Sequence, residues 1–472
     1  MMNKVKTIAT IGPATKDKEI LERLITNGVD LVRFNMNYAS QEFCDEVIKN
    51  LKKIDKELNC HTGIIIDLKG PIIRIGKLSS KEAQLIEKTK IRIYSDPMVG
   101  DHTAFSVDCP ELIKKVKYDT ALKINDGNVE LRVIDKEYNY ILCEVVKGGL
   151  IKENQKLVAP DLNLKMPYLS KEDIETIRYA DKIKADYLAL SFVSCSEDVL
   201  KISDELIEIN NDHLGILAKI ETKDAVENID EIVDVSDGVI IARGELGISL
   251  PIERIPGIQK SIINKCHKQG KISAVMTELL SSMEEDSNLT KAEVSDVANA
   301  VLDGADAVIL CGETTTGKFP VETLIMMEKI LRSAETDINY VDYLDRTSKS
   351  ENNDITGVLS RSIVECANSL ECKAIVVPTT SGFTAKRISR FHPSCPIIAI
   401  TPNKGMVKSL RFYFGIEPVL ITDFETFDEV TKKAKEICID LLGLKKHDCI
   451  IVTGSYPLKK VAHTNFIKIE EI

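Results

Sequence analysis

Short apolar runs that end in polar or glycine residues recur along the first two thirds of this 472-residue chain. Segments of helical length and pattern lie between most of these runs, and alternation of strand and helix is typical of a parallel sheet with crossover connections. Eight strands close a TIM (β/α)8 barrel, in which functional groups lie at the carboxyl ends of the strands. The eight predicted strands begin near Lys6, Leu31, Gly63, Tyr187, Gly215, Gly238, Ser273 and Ala307.

The series of barrel strands is interrupted once, between Lys69 and Leu188. The interruption contains alternating, turn-rich segments, and Asn125-Asp126-Gly127-Asn128 is a hairpin signal. These features predict an all-β lid domain over residues 72–160, inserted into a barrel that comprises residues 1–71 and 161–339.

The pattern changes again past about residue 340. The polar segment Tyr340–Asp354 predicts a connection. Beyond it, short apolar runs such as Ala374–Val377 again alternate with helical segments. We therefore predict a separate C-terminal α/β domain over residues 355–472.

Composition restricts the kinds of partner. The net charge is −11 and basic clusters are nearly absent, which argues against nucleic acid. No apolar stretch has membrane-spanning length, and Met1–Thr10 lacks the hydrophobic core of a signal peptide. The 12 cysteines form no Cys-x-x-Cys pair, so they predict reduced thiols and a cytoplasmic protein. A phosphorylated ligand would then be held by local cations.

Lys219 and Glu221 are the most informative pair of charged residues. They lie two positions apart at the end of an apolar run, and side chains at such positions of a strand share one face. The next predicted strand is followed by Glu245. A lone Lys-x-Glu is more often a surface ion pair. Here, two carboxylates and a lysine at neighbouring strand ends predict a divalent metal beside a catalytic cation.

These residues belong to a series of motifs by which the chain resembles the pyruvate kinase family over nearly its whole length. The order and spacing of the motifs, with the lid inserted at the family's position, carry the resemblance. The motifs are Lys6–Ala14, Arg33–Asn35, Asp67–Gly76, Lys219–Glu221, Ala242–Gly247, Ser295–Ala305 and Gly312–Thr314.

The resemblance implies a glycolytic enzyme that transfers the phosphoryl group of phosphoenolpyruvate to ADP, giving pyruvate and ATP. It implies that Lys219 stabilises the phosphoryl group and the enolate oxygen, and that Arg33 holds the phosphate. Glu221 and Glu245 would ligate Mg²⁺ or Mn²⁺. Arg74 would reach the nucleotide phosphates from the start of the lid.

The family also implies roles for residues at neighbouring strand ends. The backbone N–H groups of Gly244 and Glu245 would receive the substrate carboxylate at the start of a short helix. Thr277 would lie near the methylene carbon that is protonated. Asn35, which would also contact the nucleotide, and Asp67 would ligate K⁺.

Some positions depart from the family's pattern. Glu245 stands where aspartate is usual. Asn37 stands at a K⁺-ligand position usually held by serine, and Leu68 at one where the backbone carbonyl is the ligand. Ile72 replaces the glutamate of K⁺-dependent members and the lysine frequent in independent ones. We therefore expect a weak K⁺ site with modest dependence.

A loop in the C-terminal domain resembles the family's effector site. Thr379, Ser381, Gly382 and Thr384 could cradle the phosphate of a phosphometabolite effector. The alternative is that Ser381 or Thr384 simply caps the following helix. The family further implies a homotetramer.

Two other functions stay open from the sequence. A Mg²⁺-dependent barrel lyase that forms an enolate would share the two carboxylates, but it would not require Lys219, the lid or the third domain. A catalytically weakened paralogue that binds metabolites as a regulator would explain the departures from the family's pattern.

Overall fold

The computed structural model describes residues 3–125, 127–160, 162, 164, 166–348, 354–421, 426–456 and 464–472. The chain begins with alternating strands and helices. The strands are almost wholly buried, as expected of a parallel sheet covered on both faces. The elements are β1 (Lys6–Thr10), α1 (Lys18–Thr26), β2 (Leu31–Asn35), α2 (Gln41–Leu58) and β3 (Gly63–Asp67).

The chain then enters a region of mostly antiparallel strands, in which only β6 and β7 of the described strands pair in parallel. Seven of these form one sheet in the order β4-β12-β8-β9-β10-β6-β7, and β5 pairs with β11. β8 and β9 pair directly as the predicted hairpin requires, although Asp126 of its turn lies outside the described residues. The elements are β4 (Ile73–Arg74), β5 (Glu82–Leu85), β6 (Lys90–Tyr94), β7 (Ala104–Ser106), α3 (Pro110–Lys115), β8 (Ala121–Ile124), β9 (Val129–Lys136), β10 (Tyr140–Lys147), β11 (Gly149–Lys152) and β12 (Lys156–Val158).

Alternating strands and helices then resume. Several helices begin with a capping box, such as the one Ser170 makes with Asp173. Short 3₁₀ turns lie at Ile252–Arg254 and Ser281–Glu284. The elements are α4 (Lys171–Ile183), β13 (Tyr187–Leu190), α5 (Ser196–Glu208), β14 (Gly215–Ile220), α6 (Lys223–Glu227), α7 (Ile229–Val235), β15 (Gly238–Ala242), α8 (Arg243–Ser249), α9 (Ile255–Gln269), β16 (Ile272–Met276), α10 (Lys291–Asp303), β17 (Ala307–Leu310), α11 (Gly312–Thr315) and α12 (Pro320–Thr336).

Eight parallel strands close into a barrel in the order β1-β17-β16-β15-β14-β13-β3-β2. Closure is made by β1, which pairs in parallel with both β17 and β2. The predicted eight-stranded barrel is thereby confirmed. The carboxyl ends of β2, β3, β14 and β16 lie at Asn35, Asp67, Ile220 and Met276, so the residues that follow them are close together at one end of the barrel.

The remaining described part of the chain contains five strands and five helices. The strands form one sheet in the order β20-β19-β18-β21-β22, in which β22 is antiparallel to β21. The elements are α13 (Tyr340–Ser348), α14 (Ile355–Ser369), β18 (Ala374–Pro378), α15 (Phe383–Ser389), β19 (Ile397–Thr401), α16 (Lys404–Leu410), β20 (Ile416–Leu420), α17 (Phe427–Leu442), β21 (Cys449–Gly454) and β22 (Phe466–Glu471).

The prediction of a connection over Tyr340–Asp354 was wrong for its first nine residues, which form α13. The polar composition concealed two buried side chains, Tyr343 and Leu344. The Tyr343 hydroxyl also lies 2.6 Å from His267 Nδ1 of α9, and this packing fixes the helix. Residues 349–353 lie outside the described part of the chain.

The five-stranded sheet packs against the amino end of the barrel. One buried apolar cluster contains barrel residues such as Leu31 and Leu217 together with Phe391 and Phe412 of the C-terminal region. Tyr187, at the start of β13, contacts the Phe412 ring edge-on with 5.1 Å between ring centroids. The carboxyl ends of the barrel strands, where the candidate site lies, therefore face away from this interface.

Candidate active site

The cleft at the carboxyl ends of the barrel strands has a volume of about 530 Å³ and lies between the barrel and the seven-stranded lid sheet. Most of the predicted catalytic and metal-binding residues line it. They include Arg33, Arg74, Lys219, Glu221, Glu245 and Thr277.

Asp67 is the centre of a buried charge network. Arg33 donates from Nε to Asp67 Oδ2 at 2.8 Å, with a second bond from Nη2, and Arg33 Nη1 donates to Thr10 Oγ1 at 2.9 Å. Lys219 Nζ lies 3.2 Å from Asp67 Oδ2 and 3.1 Å from Glu221 Oε1. The predicted cations thus converge on one carboxylate.

Ser191 completes this network, and sequence reasoning missed it as a site residue. Lys219 Nζ donates to Ser191 Oγ at 3.0 Å, and Ser191 Oγ donates to Asp67 Oδ1 at 3.1 Å. The available signal was its position, because Ser191 is the first polar residue after a predicted barrel strand.

The network keeps its cations charged. Burial alone would lower the pKa of Lys219, but the carboxylates of Asp67 and Glu221 outweigh burial and raise the pKa above its ordinary value. Burial likewise opposes ionisation of Asp67, yet Arg33 and Lys219 hold its pKa below the usual range. Lys219 therefore presents a fixed positive charge from a buried position in the cleft.

The two carboxylates predicted to bind a divalent metal differ in their hydrogen bonding. Glu221 Oε2 accepts the Phe192 N–H at 2.7 Å. Glu245 Oε2 is buried and has no hydrogen-bond partner among the described residues. Burial raises the pKa of Glu221, and the nearby Glu245 raises it further against the effect of Lys219. An orphaned carboxylate oxygen next to a second carboxylate fits the oxygen-ligand chemistry of Mg²⁺ or Mn²⁺.

Thr277 and Gly244 lie together, as expected of two residues that contact one substrate. Gly244 N–H donates to Thr277 Oγ1 at 2.8 Å, and Thr277 Oγ1 donates to the Met276 carbonyl at 2.6 Å. The φ angle of Thr277 is +68°, an uncommon conformation for a β-branched residue. Backbone strain of this kind concentrates at functional sites.

Arg74, Asn35 and Asn37 form a neighbouring polar group at the mouth of the cleft. Arg74 Nη2 donates to Asn37 Oδ1 at 2.7 Å, and Arg74 Nη1 donates to the Asn154 carbonyl at 2.9 Å. Asn35 Oδ1 accepts the Asn37 N–H at 3.1 Å. The side-chain oxygens predicted to ligate K⁺ are therefore already engaged by protein donors.

Leu68, the fourth position predicted for K⁺, is buried directly after β3. Its N–H donates to the Ala189 carbonyl at 2.9 Å, which ties it to the neighbouring strand. Only its backbone oxygen could serve a cation, as the sequence implied.

Three lysines of the lid also line the cleft, and sequence reasoning missed them: Lys123, Lys152 and Lys156. Lys123 Nζ donates to the Ile248 carbonyl at 2.7 Å, and Lys156 Nζ lies 4.3 Å from the centroid of the Phe192 ring. No local motif marks these lysines, because the fold of the lid alone brings them over the barrel.

The predicted effector residues lie between β18 and α15. Gly382 is the N-cap of α15, with φ +75° and no side-chain cap. Its N–H donates back to Thr379 Oγ1 at 2.8 Å, and Thr384 Oγ1 lies 2.9 Å from Thr464 Oγ1. The alternative that Ser381 or Thr384 caps the helix is therefore wrong, because Thr384 is buried against Thr464 and the loop closes on Thr379.

A barrel that presents a buried lysine and arginine beside two carboxylates, under a lid rich in lysine, belongs to the class of metal-assisted barrel enzymes that act on phosphorylated anions. In the described part of the chain, no helix is long and apolar enough to cross a bilayer.

Comparison with known proteins narrows this class. The family model for the pyruvate kinase barrel domain matches residues 2–324, and the model for the pyruvate kinase alpha/beta domain matches residues 358–470. Pyruvate kinase from Clostridium perfringens is 36% identical over 475 residues, covering 100% of both chains. Pyruvate kinase from Clostridium acetobutylicum is 33% identical over 472 residues, again covering 100% of both.

A solved structure agrees. The crystal structure of a pyruvate kinase from Cryptosporidium parvum superposes with a TM-score of 0.93 at 30% identity, covering 99% of this chain and 96% of that chain. The chain belongs to the pyruvate kinase family. Its activity is that of the family, phosphoryl transfer from phosphoenolpyruvate to give pyruvate in glycolysis, and neither the lyase nor the regulator finds support.

Proposed function

We propose that the cleft binds phosphoenolpyruvate and ADP together, and that the charge network around Asp67 positions the phosphoryl group between them. The observation that carries this proposal is the convergence of Lys219 and Arg33 on one buried carboxylate. Phosphoryl transfer needs positioning and electrostatic stabilisation more than covalent chemistry from the protein. Two buried cations with fixed geometry supply both.

Each residue has a separate role in this proposal. Lys219 stays protonated and stabilises charge on the transferring phosphoryl group and the enolate oxygen. Arg33, oriented by Asp67 and Thr10, holds the phosphate. The N–H groups of Gly244 and Glu245 receive the carboxylate, and for this the Gly244 N–H leaves Thr277 Oγ1.

Thr277 lies next to this carboxylate position, on the side of the cleft where the methylene carbon would be protonated. A Mg²⁺ or Mn²⁺ ion held by Glu221 and Glu245 would supply Lewis-acid neutralisation of substrate oxygens. Glu245, which is one methylene longer than the aspartate usual in the family, lines the same cleft as Glu221.

The nucleotide phosphates lie between Arg74, Asn35 and the lid lysines in our proposal. Lys123, Lys152 and Lys156 face the cleft from the lid, so positive charge surrounds the position that a polyphosphate would take. Approach of the lid would bring these lysines closer to the nucleotide.

A K⁺ site at Asn35, Asn37, Asp67 and the Leu68 carbonyl is proposed as weak. Binding would require Asn37 Oδ1 to leave Arg74 and Asp67 to share its oxygens with a third cation. Such competition predicts modest activation by K⁺.

We also propose that the loop over Thr379, Ser381, Gly382 and Thr384 binds a phosphometabolite effector. Ser381 is exposed and offers a hydroxyl group, whereas a phosphate would have to replace the bond between the Gly382 N–H and Thr379 Oγ1 and the contact between Thr384 and Thr464. The domain boundaries at residues 72–160 and 355–472, the homotetramer and the cytoplasmic location stay predictions.

A coupled assay tests the function. Purified protein is given phosphoenolpyruvate and Mg²⁺ with and without ADP, and pyruvate is measured through lactate dehydrogenase. We expect pyruvate to form only with ADP, in equal amount to ATP. Product formation without ADP would indicate a lyase, and binding of phosphoenolpyruvate without turnover would indicate a regulator.

A further inference from the structure

Two thiols meet at the amino ends of two interior strands of the C-terminal sheet, far from the catalytic cleft. Cys372 Sγ lies 3.5 Å from Cys449 Sγ. Cys372 lies two residues before the start of β18 at Ala374, and Cys449 is the first residue of β21. All 12 cysteines are free in the structure. We refer to Cys372 and Cys449 as the thiol pair.

The backbone holds the thiol pair in place. β18 and β21 pair in parallel, with Ala374 opposite Ile450. The Lys373 N–H donates to the Cys449 carbonyl at 2.8 Å, directly beside the two sulfurs. The paired strands keep the two sulfurs close, and disulfide formation would shorten their separation from 3.5 Å to about 2 Å.

We propose that the thiol pair is a modification site at which a hydroperoxide oxidises Cys372 and Cys449 to a reversible disulfide. The two residues have different roles because they differ in exposure. Cys449 is half-buried, whereas Cys372 is buried. The oxidant therefore reaches Cys449 first.

The environment of Cys372 supports the same order. Burial raises the pKa of Cys372 to about 12, which keeps Cys372 protonated beside the Cys449 sulfur. Cys449 is accordingly the attacking sulfur and Cys372 the resolving thiol.

The reaction balances in two steps. The Cys449 thiolate attacks one oxygen of hydrogen peroxide, the O–O bond breaks, and the leaving hydroxide takes a proton to become water, which leaves a sulfenic acid on Cys449. The Cys372 sulfur then attacks the Cys449 sulfur, and its proton leaves with the displaced hydroxide as a second water. Two thiols are oxidised, and one hydrogen peroxide is reduced to two waters.

The disulfide would tie together the starts of two strands whose other ends lie beside the predicted effector loop. β18 ends at Pro378, next to that loop, and β21 ends at Gly454, which lies against Pro378. The carboxyl ends of the barrel strands are not touched. We therefore expect basal turnover to survive oxidation, and the crosslink to act on the C-terminal domain.

Mass spectrometry of the full-length protein tests the proposal. Reduced protein is exposed to hydrogen peroxide under native conditions, and its remaining thiols are alkylated after denaturation. We expect the number of alkylated thiols to fall from twelve by one pair, with the protein about 2 Da lighter before alkylation. A proteolytic digest without reduction should contain the peptides of Cys372 and Cys449 joined. Dithiothreitol should restore every thiol.

Single variants separate this pair from its neighbours. Cys372→Ser should stop the reaction at the sulfenic acid, so that dimedone labels Cys449. Cys449→Ser should leave Cys372 unlabelled. Cys366→Ser removes a nearby thiol of α14 and should form the disulfide as the wild type does. The proposal is overturned if the wild-type digest joins other cysteines, if Cys449 is oxidised without any linkage to Cys372, or if Cys449→Ser still loses a pair of thiols on exposure to hydrogen peroxide.

Discussion

The amino and carboxyl ends of the barrel both place carboxylates at strand termini, but the hydrogen bonding of these carboxylates differs. At the amino end, four aspartates each accept a backbone N–H from the neighbouring strand. The acceptor–donor pairs are Asp30 with Thr7 at 3.0 Å, and Asp186 with Ile64, Asp237 with Ile216 and Asp306 with Ser273, each at 2.8 Å.

At the carboxyl end, the polar groups are held less completely. Glu245 Oε2 has no hydrogen-bond partner among the described residues, and Phe192 and Thr277 have φ angles of +57° and +68°. Buried polar atoms without partners and strained backbone are costly, and they persist where a ligand satisfies them. The comparison teaches that the amino-end carboxylates stabilise the fold, whereas at the carboxyl end Glu245 keeps an oxygen available for a ligand.

The largest effect that would test this division is on turnover. We expect Lys219→Met to lower kcat by about 10²–10³ or more. The variant loses the positive charge that is held in place to stabilise the negative charge developing in the transition state. Steady-state kinetics measure the loss, and circular dichroism checks the fold. Lys271→Met is the control, because Lys271 Nζ donates to the Ser236 carbonyl near the amino end at 2.6 Å. If the Lys219 variant kept a tenth of the activity, its catalytic role would be wrong.

The next effect concerns metal requirement. Glu245→Ala should raise the Mg²⁺ concentration for half-maximal activity by about 10–100-fold. Loss of a residue that only hydrogen-bonds to a metal ligand already weakens metal affinity by this factor, and Glu245 is itself a proposed ligand. The KM for ADP should change far less. Glu245→Asp, which keeps the carboxylate, should stay close to wild type. An unchanged Mg²⁺ titration in the alanine variant would remove Glu245 from the ligand set.

At the amino end, the expected effect is on stability. Asp306→Ala should lower the free energy of unfolding by about 3 kcal/mol, because the buried Ser273 N–H and hydroxyl lose their acceptor. His392 Nε2, which lies 3.2 Å from Asp306 Oδ1, loses its partner as well. Urea unfolding measures the change, and the KM for phosphoenolpyruvate should stay unchanged.

Asp237→Ala is the matched control for Asp306→Ala. It removes the same kind of acceptor, but Asp237 is exposed, so water replaces the lost bond. We expect a loss of about 1 kcal/mol or less. Equal losses at Asp237 and Asp306 would mean that burial does not set the contribution of these aspartates.

The sequence predicted the features that neighbouring residues determine, and it did not predict those that depend on distant segments. The barrel strands were predictable because buried parallel strands are continuous apolar runs, and Lys219 and Glu221 because alternate residues of a strand share a face. Ser191, the lid lysines and helix α13 were not, since contacts with distant segments determine them. The Arg74–Asn37 bond likewise depends on how the lid meets the barrel.

The pH dependence of stability tests the amino end more finely. Burial raises the pKa of Asp186 to about 7, although Lys408 and the Ile64 N–H oppose it. The unfolded chain releases this proton near pH 4, as ordinary aspartates do. The folded state therefore holds the proton over a range where the unfolded state does not, and stability falls as pH rises from about 4 to about 7 before levelling.

Asp186→Asn should remove this contribution, because asparagine still offers an oxygen to the Ile64 N–H but does not titrate. Between pH 5 and 6 we expect the variant's unfolding free energy to depend less steeply on pH, by about 1.4 kcal/mol per pH unit. Urea unfolding at several pH values measures both slopes. Identical slopes in wild type and variant would contradict a raised Asp186 pKa.

The smallest expected effect is activation by K⁺. This effect tests whether side-chain oxygens at the carboxyl end can exchange their protein hydrogen-bond partners for a cation. Asn37 Oδ1 is bonded to Arg74, and Asp67 is shared by Arg33 and Lys219. A monovalent cation competes with these contacts, so we expect only a few-fold higher activity in K⁺ than in tetramethylammonium. Ile72→Glu should increase the dependence, and Ile72→Lys should abolish it, because a fixed ammonium group then supplies the charge. Strict dependence in the wild type, or no response in any of the three proteins, would show that the engaged oxygens do not control K⁺ binding.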